Sequence, residues 1–162
     1  MKGMIHMKKL IALTMALVLA LSLTGCFGMG NNNASTADQA VAADVETYDK
    51  DFDGLVKYIK DRNNNSAEGE LYYDILGAKN GKRVILNGNA YVEIYDFTGA
   101  DNEKASKIIA EVKENEKFSP MENGTVLTAA ITKSGNYVLA WDATRGFDYA
   151  KNAVTDELKE NW

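Results

Sequence analysis

Cysteine, histidine and positive charge are all scarce in this 162-residue chain. The one cysteine, Cys26, cannot form a disulfide within the chain, nor can it build a multi-cysteine metal site. The one histidine, His6, lies close to the N-terminus, so no pair of imidazoles can hold a metal. Lysine and arginine together number 18 against 23 acidic residues, a net charge of -5. That balance argues against nucleic acid, whose phosphates need a basic footprint. It argues equally against electrostatic docking on anionic lipid. Long apolar runs are scarce too. The longest, residues 10–23, has 14 positions and is broken by Thr14 and Ser22. A bilayer-spanning helix takes about 20.

That apolar run follows Lys8 and Lys9 and ends in small residues, the pattern of a secretory signal peptide. Met7 offers a second start just before it. Leu23-Thr24-Gly25-Cys26 resembles the lipobox of bacterial lipoproteins. The resemblance implies a diacylglyceryl group on the Cys26 sulfur and cleavage between Gly25 and Cys26. It also implies membrane attachment on the extracytoplasmic face, since two acyl chains anchor stably. Cleavage would remove residues 1–25, taking Lys2, Lys8, Lys9 and His6 and no acid, so net charge moves from -5 to -8. The expected mature protein then has neither imidazole nor free thiol. Ser-His, Cys-His and His-metal chemistry are excluded, which leaves carboxylate, Lys, Tyr or Ser chemistry. No cofactor is expected.

The organisation expected is a signal peptide (1–25), a lipidated cysteine with a flexible tether (26–47) and one α+β domain (48–162). The tether carries Gly28, Gly30, Asn31, Asn32, Asn33, Ala34, Ser35 and Thr36 with little apolar periodicity. Within the domain, Phe52, Leu55, Val56 and Ile59 predict a helix over 51–62 with Asp51 as N-cap. A first strand is expected over 71–78. An Asn-Gly turn at Asn80-Gly81, a strand over 82–86 and a turn at Asn87-Gly88-Asn89 follow. Residues 90–97 alternate most clearly. Tyr91, Glu93, Tyr95 and Phe97 lie to one side and Val92, Ile94 and Asp96 to the other, which suits a central strand. Ala105, Ile108, Ile109 and Val112 predict a helix over 101–115. Strands over 125–132 and 137–142 and a last helix over 147–161 complete the chain.

The chain matches itself at an offset of 46 residues. Tyr91-Val92 aligns with Tyr137-Val138, Asp96 with Asp142, Thr98 with Thr144, and Lys113-Glu114-Asn115 with Lys159-Glu160-Asn161. The reading is an internal duplication of two ββα units, 79–115 and 124–161, preceded by one helix. They would form one antiparallel sheet of four or five strands with helices packed on one face.

Three sets of residues are candidate sites. Asp49, Asp51 and Asp53 with Gly54 match the first half of a calcium loop. Lys60 stands where a bidentate acid is required, so a helix N-terminus complemented by acids competes with metal binding. Asp96 and Asp142 end the two repeated strands, and paired carboxylates are the catalytic device this composition leaves open. Tyr91, Tyr95, Tyr137 and Trp141 alternate along two strands and would form an aromatic platform on an open sheet face.

The lipobox, the Asn-rich tether and the segment Tyr48-Asp49-Lys50-Asp51-Phe52-Asp53-Gly54-Leu55 together resemble small lipoproteins of Gram-positive bacteria. That resemblance implies a compact α+β domain and carries no activity. The function expected is a non-enzymatic, lipid-anchored domain that binds an envelope protein or glycan through its sheet face. A carboxylate-dependent hydrolase of cell-wall glycan is the alternative, or a small-ligand or calcium sensor.

Overall fold

The computed structural model describes residues 44–162, except 65, 87, 88, 122, 123 and 146 and the side chains of 147–149. The leader, Cys26, the tether before Asp44 and Asn87-Gly88 of the second expected turn lie outside the described residues.

One antiparallel sheet of six strands forms the middle layer, in the order β1-β2-β3-β6-β5-β4. The strands are β1 (Ala67–Gly69), β2 (Asn80–Ile85), β3 (Tyr91–Asp96), β4 (Lys117–Phe118), β5 (Leu127–Ile131) and β6 (Tyr137–Trp141). β3 is central, as its two-sided apolar pattern predicts, and its partner across the middle is β6. Their register sets Glu93 opposite Ala140, Ile94 opposite Leu139 and Asp96 opposite Tyr137.

Helices cover both faces rather than the single face expected. On the first face, Val84, Val92, Ile94, Tyr137, Leu139 and Trp141 pack under Phe52, Leu55, Val56, Tyr58 and Ile59 of α1 (Phe52–Arg62). Ala150 and Ala153 of α3 (Phe147–Ala153) and Leu158 of α4 (Asp156–Asn161) join that core. On the second face, Tyr95, Phe97, Val138, Ala140, Leu127 and Ala129 pack under Ala105, Ile108 and Val112 of α2 (Glu103–Asn115). The physical reason is already in β3 and β6: both carry apolar side chains on both sides, and a sheet of that kind needs two covers.

Local chemistry explains the element boundaries. Asp51 caps α1, its Oδ1 accepting from Gly54 N at 2.8 Å, and Asn102 caps α2 in the same way from Ala105 N. The last helix is two helices, because Thr155 Oγ1 accepts from Leu158 N and starts α4 afresh. The segment expected as a first strand holds only a 3-10 turn, Asp74–Leu76, and the edge strand lies earlier, at β1. Asn80-Gly81 is strand, not turn. Gly81 is needed there because a Cβ would lie 2.5 Å from Tyr73 Cβ. Trp162 closes the first core, its ring tilted against Tyr58 and its Nε1–H donating to Asp51 O.

Residues 79–115 and 124–161 each run strand, strand, helix (β2-β3-α2, then β5-β6 with α3 and α4), and the short edge strands β1 and β4 lie outside those two segments. The offset of 46 is not, however, the symmetry of the sheet. Ile94 faces Leu139, 45 residues on, so moving by 46 carries a residue to the opposite face. Asp96 and Asp142 are nonetheless locally alike, each accepting from the backbone N–H two residues on, Thr98 or Thr144, at 2.8 Å.

Gly54 is the tightest point of this frame, since a Cβ there would sit 2.0 Å from the carbonyl oxygen of Asp49. Gly54→Ala is therefore expected to lower stability by about 2 kcal/mol. Gly99→Ala meets no atom within 4 Å and strains only a φ of 69°, for roughly 1 kcal/mol. Urea unfolding of both variants checks the order, and an equal or reversed loss would show that the Asp49 contact is not decisive.

Candidate functional site

The four candidate aromatics do not make one platform. Tyr91 and Tyr95 belong to the second face and Tyr137 and Trp141 to the first, because the parity of the β3–β6 register separates them. Tyr95 is 1% exposed and Tyr137 and Trp141 are each 7% exposed, so these three are core residues. Only Tyr91 reaches the surface, half-buried.

Asp96 and Asp142 are not a catalytic pair. Asp96 lies opposite Tyr137 at the start of β6, whereas Asp142 follows the last residue of β6. Five residues along a strand, roughly 16 Å, separate the two levels, and the side chains alternate onto opposite faces. Each is occupied by its own turn. Hydrogen bonds from the Thr144 hydroxyl and N–H, with a smaller contribution from Arg145, hold the Asp142 carboxyl below the usual range. Asp49, Asp51 and Asp53 do not form a calcium loop either. Asp51 is committed to capping α1, Asp53 and Gly54 are already helical, and among the described residues no group of three or more metal-ligating side chains comes together.

Sequence reasoning missed a charged cluster at one end of the second face. Glu93, on the central strand, is 3% exposed. Its Oε1 accepts from Arg83 Nε at 3.1 Å and from Arg83 Nη2, and its Oε2 accepts from the Tyr95 hydroxyl at 2.6 Å. Arg83 faces Glu93 directly across the β2–β3 hairpin. Its guanidinium carbon also lies 4.8 Å from the centre of the Tyr91 ring. From the next strand, Asp142 pairs with Arg145, Nε to Oδ2 at 3.5 Å. Burial chiefly pushes the Tyr91 hydroxyl above the usual tyrosine range, with Glu93 and Asp142 adding to the shift and Arg83 and Arg145 opposing it. One signal was available beforehand: an acid in mid-strand with a tyrosine two residues away on either side.

No known family, no curated protein and no solved structure matches this chain. The chemistry therefore has to be read from the cluster itself. Both carboxylate oxygens of Glu93 accept hydrogen bonds. Its work is to hold Arg83 and Tyr95.

Burial, then the Glu93 charge and hydrogen bond, push the Tyr95 hydroxyl far above the tyrosine range. The folded state keeps that proton while the unfolded chain loses it near pH 10. The stability this contributes is complete below about pH 10 and falls as pH rises beyond it. Tyr95→Phe removes a buried donor and is expected to cost about 1–2 kcal/mol at neutral pH. The variant should also lose less stability between pH 9 and 11 than the parent does. Urea unfolding across that range checks both, and identical alkaline profiles would show that Tyr95 ionises freely.

Proposed function

We propose that this chain is a lipid-anchored, extracytoplasmic interaction domain without enzymatic activity, held at the bacterial membrane through Cys26. The anchoring rests on the lipobox Leu23-Thr24-Gly25-Cys26 after its short apolar run. The observation that carries the interaction reading is the uncovered end of the second sheet face. There Ile85, opposite Tyr91 in the register, is 43% exposed beside Tyr91 and Arg83. Tyrosine and arginine next to an exposed aliphatic side chain are the residue types that dominate binding at protein interfaces. A rigid sheet presents them at low entropic cost, because the strands beneath are already ordered by two cores.

Two measurements on the full chain in its parent cells check this reading. Cys26→Ala is expected to release the protein from the membrane fraction; persistence there would refute lipid anchoring at Cys26. A photo-crosslinking residue at position 85 is expected to give discrete protein adducts that the same residue at position 103 does not. Position 103 lies on the exposed first turn of α2. Equal patterns from both, or none from position 85, would remove this end of the sheet as the docking surface.

A further inference from the structure

We infer that the uncovered end of the second face recognises carboxylates of a partner protein, with Arg83 and Arg145 as the donors and Tyr91 and Ile85 as the apolar floor between them. This rests on the interaction reading above and adds the chemistry of the partner.

The first observation is the distribution of arginine. The chain has three, Arg62, Arg83 and Arg145. Arg62 is used internally, donating to the Tyr58 hydroxyl at 2.8 Å and stacking on its ring. The other two flank Tyr91: the Arg83 guanidinium lies over its ring, and Arg145 pairs with Asp142, which continues the β3–β6 register to the level of Tyr91. The second observation is how they are held. Arg83 spends Nε and Nη2 on a single oxygen of buried Glu93, so the opposite, Nη1 edge of the planar guanidinium faces away from that carboxylate. Arg145 has a side chain 71% exposed, while its partner Asp142 is 9% exposed. In both pairs the acid is inside and the guanidinium outside. The sums of charge cancel, but the surface a partner meets is cationic.

The third observation is contrast. With the expected leader removed the chain carries -8, so the remaining surface repels an acidic partner. Repulsion elsewhere and attraction here fix where and in which orientation such a partner docks, which is how charge complementarity gives specificity. Arginine also suits carboxylate in geometry, its fork offering paired N–H donors. The exposed Ile85 beside Tyr91 adds a place for an apolar side chain. The partner segment that fits is an apolar residue flanked by aspartate or glutamate.

The test uses the full chain in detergent, with a short peptide of alternating glutamate and leucine and its glutamine counterpart as probes. Titrations are followed by the arginine Nε–H and backbone amide signals. The glutamate peptide is expected to shift Arg83, Arg145, Tyr91 and Ile85 and to leave Arg62 in place. The glutamine peptide should bind at least tenfold more weakly, and raising salt from 50 to 200 mM should weaken the glutamate peptide severalfold. Arg145→Gln, at an exposed position, should lose most of the affinity without loss of fold. Equal binding of the two peptides would overturn carboxylate recognition while leaving the docking surface intact. Shifts centred elsewhere, or none, would overturn it as well. Shifts at these residues that depend on protein concentration without peptide would assign the face to a second copy of the chain instead. Failure of the docking surface itself is seen separately, as loss of adducts from position 85.

Discussion

The pairing of β3 with β6 is the constraint on which the rest of the structure depends. Both strands are buried on both sides, so their register decides the contents of two cores at once. The faces differ in size. Tyr137, Leu139 and Trp141 fill the side under α1, α3 and α4, whereas Val138 and Ala140, next to Ala129, let α2 lie close on the other side. A slip of one residue would drive Trp141 and Tyr137 into the places that Val138 and Ala140 fill beside Ala129, and leave alanines where the first core needs volume. Apolar patterning alone would tolerate that slip, since both faces are apolar. Side-chain volume is what specifies the register. The outer strands then follow by hairpin closure, β2 onto β3 and β5 onto β6.

Much of this was legible in the sequence, and the rest failed for definable reasons. Helical spacing located α1 and α2, and alternation located β3 and the β5–β6 hairpin, because these signals are local. Covering the sheet on one face was the wrong expectation. The alternation in β3 and β6 showed two apolar sides, but their consequence is a second helical layer that no single segment announces. The aromatic platform failed on parity. Tyr91 and Tyr137 look equivalent along their own strands, yet which face each occupies depends on how the two strands pair. That is a relation between distant segments. The match at an offset of 46 misled for the same reason, since the sheet relates β3 and β6 through an odd separation. At the strand ends it was informative, where Asp96 and Asp142 make the same turn with Thr98 and Thr144.

Glu93 shows the same boundary between local and distant information. Its place between Tyr91 and Tyr95 is visible in the chain, but its partner Arg83 is fixed only by the hairpin register. An acid on a central strand is costly. Replacing a buried ion pair by apolar residues of like volume is often neutral or stabilising. Stability alone therefore gives little reason for Glu93. What it supplies is orientation. One carboxylate oxygen holds Arg83 and the other holds the Tyr95 hydroxyl, whose ring lies edge-on to Phe118 in the second core. The position of a surface guanidinium is thereby tied to the packing beneath α2.

That tie distinguishes Arg83 from the lysines on the first-face side of the sheet. Lys57, Lys60 and Lys82 pair with Asp61 and Glu68 across α1, β1 and β2, where both members of each pair are partly solvated. Such pairs contribute little and their long side chains move freely among alternatives. Arg83 and Arg145 are set on acids that the sheet itself immobilises, one at mid-strand and one at a turn closed by Thr144. A fixed donor loses less freedom on meeting an acceptor than a mobile one does, so the same hydrogen bond leaves more net affinity. The sheet thus does more than support its two cores. By burying one carboxylate in β3 and holding another after β6, it fixes Arg83 over Tyr91 and gives Arg145 an anchored partner, on a domain whose remaining charge is predominantly negative.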